Sequence, residues 1–155
     1  MIEGIEVIPL RRFEDARGWF AELRRDSKLP KHTVQTNLSF SRKGVIRGLH
    51  YHERGQDDLF ACLEGMARVV VLDRESGETF TADIGEDNFV AIYIPGSCAH
   101  GFEALSDLIF CYHVTEEYDP ADPDEHEIPW DDPRVQHLWS TQSPILSERD
   151  AAASS

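Results

Sequence analysis

Short apolar runs, most of them alternating with polar residues, fill the chain between turns marked by glycine and proline. The segments GIEVIPL, HTVQTNLSFS, GVIRGLHY, DLFACLEG, MARVVVLD, TFTADI, NFVAIYIP and LIFCYHVT are rich in Val, Ile, Phe, Tyr and Thr. Alternation with a period of two predicts half-buried strands. Gly44, Gly48, Gly55, Gly65, Gly77, Gly85 and Gly96 separate them. DRESGETF predicts a hairpin turn, and IPGSCAHGF a strand end followed by a tight turn. Helical pattern is confined to SERDAAASS, which predicts a short C-terminal helix capped by Ser147 with its last few residues frayed. Evenly spaced short strands without long helices predict an all-β barrel or jelly roll. Residues 116–133, acidic and broken by proline, predict a loop on the surface. No repeat or linker divides the chain, so residues 1–155 are expected to form a single domain.

Composition narrows the setting. The chain has 155 residues, 41% of them hydrophobic and 28% charged, as in ordinary globular proteins. No apolar run approaches the ~20 residues that cross a bilayer. The start MIEGIEVIPLRRFED lacks the basic-then-apolar order of a signal peptide, so a cytoplasmic location is expected and a membrane partner is not. The net charge of −14 argues against nucleic acid as a partner. It is unevenly spread: residues 1–50 carry ten Lys and Arg against six Asp and Glu, the remainder five against twenty-three. A positive segment in an acidic protein suits a small anion such as a diphosphate, although both blocks also serve solubility. Cys62, Cys98 and Cys111 are odd in number, widely spaced and set among apolar residues, which predicts buried, reduced, structural thiols.

His50, His100 and Tyr112 lie on or beside apolar segments and would meet inside a barrel if they share its inward face. Buried ionisable groups are costly unless paired, so such a cluster calls for chemistry. Taken alone, Tyr112 reads more readily as a core residue than as an acid. His113 and His126 read as surface residues.

The segments KGVIRGLHYH, IPGSCAHGF, YHVTEEYDP, WDDP and LSERD stand in one order along the chain, preceded by FEDARGWFAE and VQTNLSFS. This set resembles the dTDP-4-dehydrorhamnose 3,5-epimerase family of the cupin superfamily, from about Phe13 to Asp150. The resemblance implies an all-β cupin jelly roll, a double-stranded β-helix barrel with a short C-terminal helical segment. It implies epimerisation at C3, C5 or both of a nucleotide-diphospho-4-keto-6-deoxy sugar through an enolate, in deoxysugar biosynthesis and without a cofactor. It implies His50 as general base, Asp150 as the carboxylate that orients it, and Tyr112 as general acid on the opposite face of the sugar. Arg47 and His100 match residues lining the diphosphate and sugar, Gln35 and Asn37 match substrate contacts, and Tyr118 matches an aromatic near the base. Phe13, Arg17 and Glu22 match a segment that reaches a partner subunit and meets the nucleotide, which implies a homodimer with exchanged N-terminal strands. A histidine that titrates near neutrality suits the base, preorganised donors suit the enolate, and arginine suits phosphate.

Two positions depart from the family pattern. GQDDL places Asp58, also a substrate-binding candidate, where the family usually has a lysine that helps bind the enolate oxygen. A single-position epimerase, another keto-sugar substrate or a non-catalytic nucleotide-sugar-binding relative would fit that change. His52 stands where the family usually has glutamine, creating His-x-His. With Gln56 and His100 this gives a second reading, a metal-dependent cupin oxygenase or isomerase with His50, His52, Gln56 and His100 as ligands. The two readings compete for His50, since a ligand cannot also abstract the proton. Asp150, Tyr112 and Arg47 fall where the epimerase pattern places them and a metal cupin needs none of them, so the metal-free reading leads.

Overall fold

The computed structural model describes residues 1–154; the expected fraying of the chain end falls partly on Ser155, outside the described residues. Among the described residues, twelve strands, one short α-helix and two 3-10 turns (Asp26–Lys28 and Gln136–Leu138) make up the fold: β1 Glu6–Pro9, β2 Arg12–Asp15, β3 Gly18–Ala21, β4 Gln35–Ser41, β5 Ile46–Tyr51, β6 Asp58–Glu64, β7 Met66–Asp73, β8 Thr79–Gly85, β9 Val90–Ile94, β10 Cys98–Ala104, β11 Leu108–Val114, β12 His126–Glu127 and α1 Glu148–Ala153. Two five-stranded sheets, ordered β1-β9-β6-β11-β4 and β12-β5-β10-β7-β8, form the jelly roll, and β2 pairs with β3 as a separate hairpin. All strand pairs are antiparallel. The all-β expectation and its C-terminal helix hold.

Side chains from the two sheets interdigitate in one core. Phe60, Cys62 and Phe110 from the first sheet meet Ala67, Val69, Val71 and Phe102 from the second. Phe102 and Phe110 stack across the gap with centroids 4.0 Å apart and planes 13° from parallel. The other face of β7 is also covered: Val70 and Leu72 pack with Ile46, Leu49, Ala99, Val135 and Trp139. Burial on both faces explains the unbroken apolar run VVVL, Val69–Leu72, within MARVVVLD, whereas half-buried strands alternate. The three cysteines are buried and unpaired, and burial pushes the Cys62 thiol up to about 11, so it stays protonated.

Differences from the sequence reading have local causes. IPGSCAHGF holds the end of β9 at Ile94 and a turn at Gly96–Ser97, as read, but from Cys98 it continues into β10, seven residues buried throughout. Small residues there reflect tight packing rather than a loop. The hairpin β2–β3 and the two-residue β12 carry no clear apolar alternation and escape the pattern. His113 is not a surface residue: it is 6% exposed, with Thr36 Oγ1 2.8 Å from its Nδ1 and the Cys111 thiol beside its Nε2. His126 is partly covered, stacked on Tyr51 at 5.1 Å.

One irregularity sets the geometry of the cavity. Along β5 and β10, Arg47 faces Phe102 and His50 faces His100, so Gly48 and Leu49 stand opposite Gly101 alone. Two residues against one make a β-bulge, which reverses the inward–outward parity along the bulged strand. Arg47 and His50 consequently both line the cavity, while Leu49 turns into the outer cluster. The bulge requires glycine: Gly48 has φ +137°, and a Cβ there would lie 2.7 Å from the Gly101 Cα and 2.9 Å from the His100 carbonyl oxygen. Gly77 offers a control, with φ +77° but nothing within 4 Å of an added Cβ. Gly48→Ala should lose more than about 2 kcal/mol in urea unfolding, at least twice the loss in Gly77→Ala.

Candidate active site

A cavity of about 870 Å³ opens between the sheets, walled by β4, β6 and β11 on one side, β5 and β10 on the other, and the α1 end of the chain. His50, Asp150, Tyr112, Arg47, His100, Gln35, Asn37, Tyr118 and Asp58 all line it, as do His52 and Gln56. Phe13, Arg17 and Glu22 do not. They lie on or beside the exposed β2–β3 hairpin, where Arg17 is paired with Asp15 and Glu22 with Arg25.

The His50 Nε2 lies 2.9 Å from the Asp150 Oδ1, and the Gly48 N–H donates to the other carboxylate oxygen at 3.2 Å. Asp150 is 4% exposed, and its own N–H donates to the Ser147 side chain at 3.1 Å, which fixes the first turn of α1. Burial pushes the Asp150 carboxyl up. The hydrogen bond and charge of His50, the Gly48 N–H and Arg149 outweigh it and hold the group below the usual carboxylate range. An ionised Asp150 accepts the Nε2 hydrogen, which leaves Nδ1 as the basic atom of the ring.

Tyr112 sits on the opposite sheet, edge-on to Phe60 at 6.2 Å. Burial first, then the charges of Asp58 and Glu125, push its hydroxyl up, so it carries its proton at neutral pH. Its cross-strand neighbour Asn37 accepts from Gln35 at 2.9 Å, and Gln35 in turn accepts from the Tyr118 N–H at 2.9 Å. These residues face inward because β4 inverts the usual pattern: Gln35, Asn37 and Ser39 are partly covered, whereas Leu38 and Phe40 are exposed on the outside.

A second group lies deeper. Asp58 is 3% exposed, with Oδ2 3.3 Å from the His100 Nε2 and Oδ1 3.8 Å from the His52 Nε2. The Gln56 amide reaches Asp58 Oδ1 at 2.9 Å and His52 Nε2 at 3.1 Å. Burial raises the Asp58 carboxyl, but His100, His52 and Gln56 more than offset it and hold the group below its ordinary range. Burial and the neighbouring His100 lower His52. The ligand set expected for a metal cupin is therefore corrected: His50 is engaged by Asp150, and Asp58 joins His52 and His100 in its place.

Sequence reading missed Arg149 and Glu125. The Arg149 Nη2 lies 3.2 Å from the His50 Nε2, and its guanidinium is held by Glu125 at 2.7 Å and Glu127 at 2.5 Å. The adjacency of Arg149 to Asp150 is the signal that was available. Glu125 belongs to the acidic loop, and its place on the cavity wall follows from β12 pairing with β5.

Residues 1–155 match the family described as dTDP-4-dehydrorhamnose 3,5-epimerase. The spore coat polysaccharide biosynthesis protein SpsL of Bacillus subtilis (strain 168) is 42% identical over 150 residues, covering 92% of this chain and 99% of that one. NovW, a 4-keto-6-deoxy sugar epimerase from the novobiocin gene cluster of Streptomyces spheroides, superposes with a TM-score of 0.89 at 32% identity, covering 99% of this chain and 83% of its own. ChmJ, a 3'-monoepimerase from Streptomyces bikiniensis in complex with dTDP-quinovose, gives 0.87 at 26%, covering 99% and 84%.

The lowered Asp150 carboxyl has a sign in stability. A group depressed in the folded state stabilises above its unfolded value of ~3.9, and that stability is lost as pH falls through the folded value. Urea midpoints of the wild type and Asp150→Asn should therefore differ most at neutral pH, with the wild type higher, and converge once Asp150 is protonated in both states.

Proposed function

The chain belongs to the dTDP-4-dehydrorhamnose 3,5-epimerase family, and from that premise we propose that it epimerises the carbon beside the ketone of a nucleotide-diphospho-4-keto-6-deoxy sugar, at C3, C5 or both, with a dTDP-sugar as substrate. The observation that carries this reading is the placement of a carboxylate-braced histidine and a protonated tyrosine on opposite sheets of one cavity. A sugar ring lying between them presents one face to each.

In this mechanism His50 takes the proton from the carbon next to the ketone, and Asp150 stabilises the imidazolium that forms. Electrons from the broken C–H bond move into the ring carbonyl, giving an enolate. Tyr112 then donates its hydroxyl proton to the same carbon from the other face, which inverts the centre. Asp58 would oppose an enolate if its charge stood alone, but His100 and His52 face it on the cavity wall. Arg47, exposed and bonded to Ser41 Oγ at 2.9 Å, suits the diphosphate, and Gln35, Asn37 and Tyr118 suit the sugar and base.

The partner and the setting belong to the same proposal. The β2–β3 hairpin leaves Trp19 and Phe20 53% and 69% exposed, and edge strand β4 leaves Leu38 68% exposed. Exposed apolar patches of this kind mark interfaces. The chain is a homodimer in which the N-terminal hairpin, with Phe13, Arg17 and Glu22, reaches the partner's nucleotide. No helix of the described residues is long and apolar enough to cross a membrane, and the enzyme works in the cytoplasm to supply deoxysugar for a polysaccharide or glycosylated product.

The test is deuterium incorporation from heavy water into a dTDP-4-keto-6-deoxyhexose, read by NMR at C3 and C5. The wild type should incorporate deuterium at one or both centres with inversion, and absence of exchange with any such nucleotide sugar would defeat the reading. His50→Ala should lose both exchange and inversion by about 10²–10⁴-fold. Tyr112→Phe should keep exchange through His50 while inversion falls by a similar factor. Phe20→Asp should shift the protein from dimer to monomer by light scattering at micromolar concentration.

A further inference from the structure

The buried side chains of His52, Asp58 and His100 present ligand atoms that all lie within 4.8 Å of one another on the cavity wall. Their orientation is fixed from behind. His52 Nδ1 lies 2.6 Å from the Asp124 carbonyl oxygen, and His100 Nδ1 lies 3.3 Å from that of Cys98. With each carbonyl accepting an Nδ1 hydrogen, both Nε2 lone pairs turn toward the Asp58 carboxylate. In this tautomer the Gln56 amide donates to Asp58 Oδ1 and His52 Nε2, and a positive centre among the three acceptors would neutralise the Asp58 charge and satisfy His100 Nε2.

We propose that His52, Asp58 and His100 form a site for a divalent transition-metal ion, with an open coordination position toward the sugar cavity. The spacing suits such an ion. Ligands about 2.0–2.2 Å from a metal lie about 3–3.5 Å from one another. The Asp58–His100 separation of 3.3 Å falls in that range, and the Asp58–His52 separation of 3.8 Å closes onto it with a small shift. Two imidazoles and a carboxylate are the donor set taken by zinc, iron, manganese, cobalt and nickel. The Gln56 amide stays as a hydrogen-bond donor to Asp58 or turns its oxygen inward as a fourth ligand. This set excludes His50, which Asp150 engages, so ligand and base are different residues.

The location suggests a use, which rests on the epimerase reading although the binding itself does not. His100 is the cross-strand partner of His50, and Asp58 lies two residues along β6 from Phe60, the cross-strand partner of Tyr112. An ion there stands between base and acid, where the ketone oxygen of the sugar becomes negative, and supplies positive charge to it.

The experiment is direct. Chelator-treated protein is dialysed against zinc or cobalt, washed and assayed by elemental analysis, with cobalt also followed by its visible absorption. The expected result is about one ion per chain. Affinity should fall more than about 100-fold in the isosteric Asp58→Asn and in His52→Gln, and stay within about 3-fold in His50→Ala and Asp150→Asn. Folded wild-type protein that binds no ion overturns the proposal and leaves a proton shared by Asp58 and His100. An ion lost in His50→Ala but retained in Asp58→Asn overturns it as well. Binding is read without substrate, so its failure leaves the exchange experiment standing, and a failure of exchange leaves the binding result standing.

Discussion

The close approach of β5 to β10 at Gly48 and Gly101 is the constraint on which the cavity depends. Neither position has room for a Cβ: one at Gly101 would lie 2.5 Å from the Arg47 carbonyl oxygen, and one at Gly48 would meet the Gly101 backbone. The backbones come together there and two residues of β5 share one partner on β10. Parity reverses, and three neighbouring residues are sorted: Arg47 and His50 inward, Leu49 into the packed outer layer. The same bulge leaves the Gly48 N–H free for Asp150. One backbone irregularity thus aims His50 into the cavity and provides a second anchor for the Asp150 carboxylate that braces it.

Electrostatics inside the cavity follow a rule of local neutrality. Asp150 faces His50, Asp58 faces His100 and His52, and Arg149 is held between Glu125 and Glu127. The buried carboxylates Asp58 and Asp150 are tolerable only in such sets, because little solvent screens them, whereas the Arg149 set lies at the exposed rim. The arrangement also reconciles an overall charge of −14 with an anionic ligand. The large acidic excess lies beyond residue 50, and much of it is exposed or paired, while Arg47 remains exposed at the cavity.

The strands and the His50, Asp150 and Tyr112 set were legible in the sequence, the first because alternation reports burial and the second because RGLH, YHVTEEY and LSERD occur together. What escaped has physical reasons. β10 contains Gly101 and lies just beyond Pro95 and Gly96, residues that signal turns, yet here the lack of a Cβ at Gly101 permits strand contact. His113 looks polar and terminal, but it finds Thr36 across the edge strand and so tolerates burial. β4 carries its polar residues inward, which no rule of apolar burial predicts without knowing that the interior there is a polar cavity. Arg149 acts from a short helix whose position depends on contacts 100 residues away, from Asp150 to His50.

Asp58 and His52, the two departures from the family pattern, make sense as one change rather than two. A buried carboxylate introduced alone would raise the cost of folding, and an added imidazole alone would gain no partner of opposite charge. Placed together, with His100 beside Asp58 on the cavity wall and Gln56 between Asp58 and His52, each supplies what the other lacks. Because His50 is bonded to Asp150 rather than to this cluster, the change leaves the His50–Asp150 pair intact. In the proposed mechanism, proton abstraction and charge compensation would then fall to separate groups in one cavity, and the two readings no longer compete for His50.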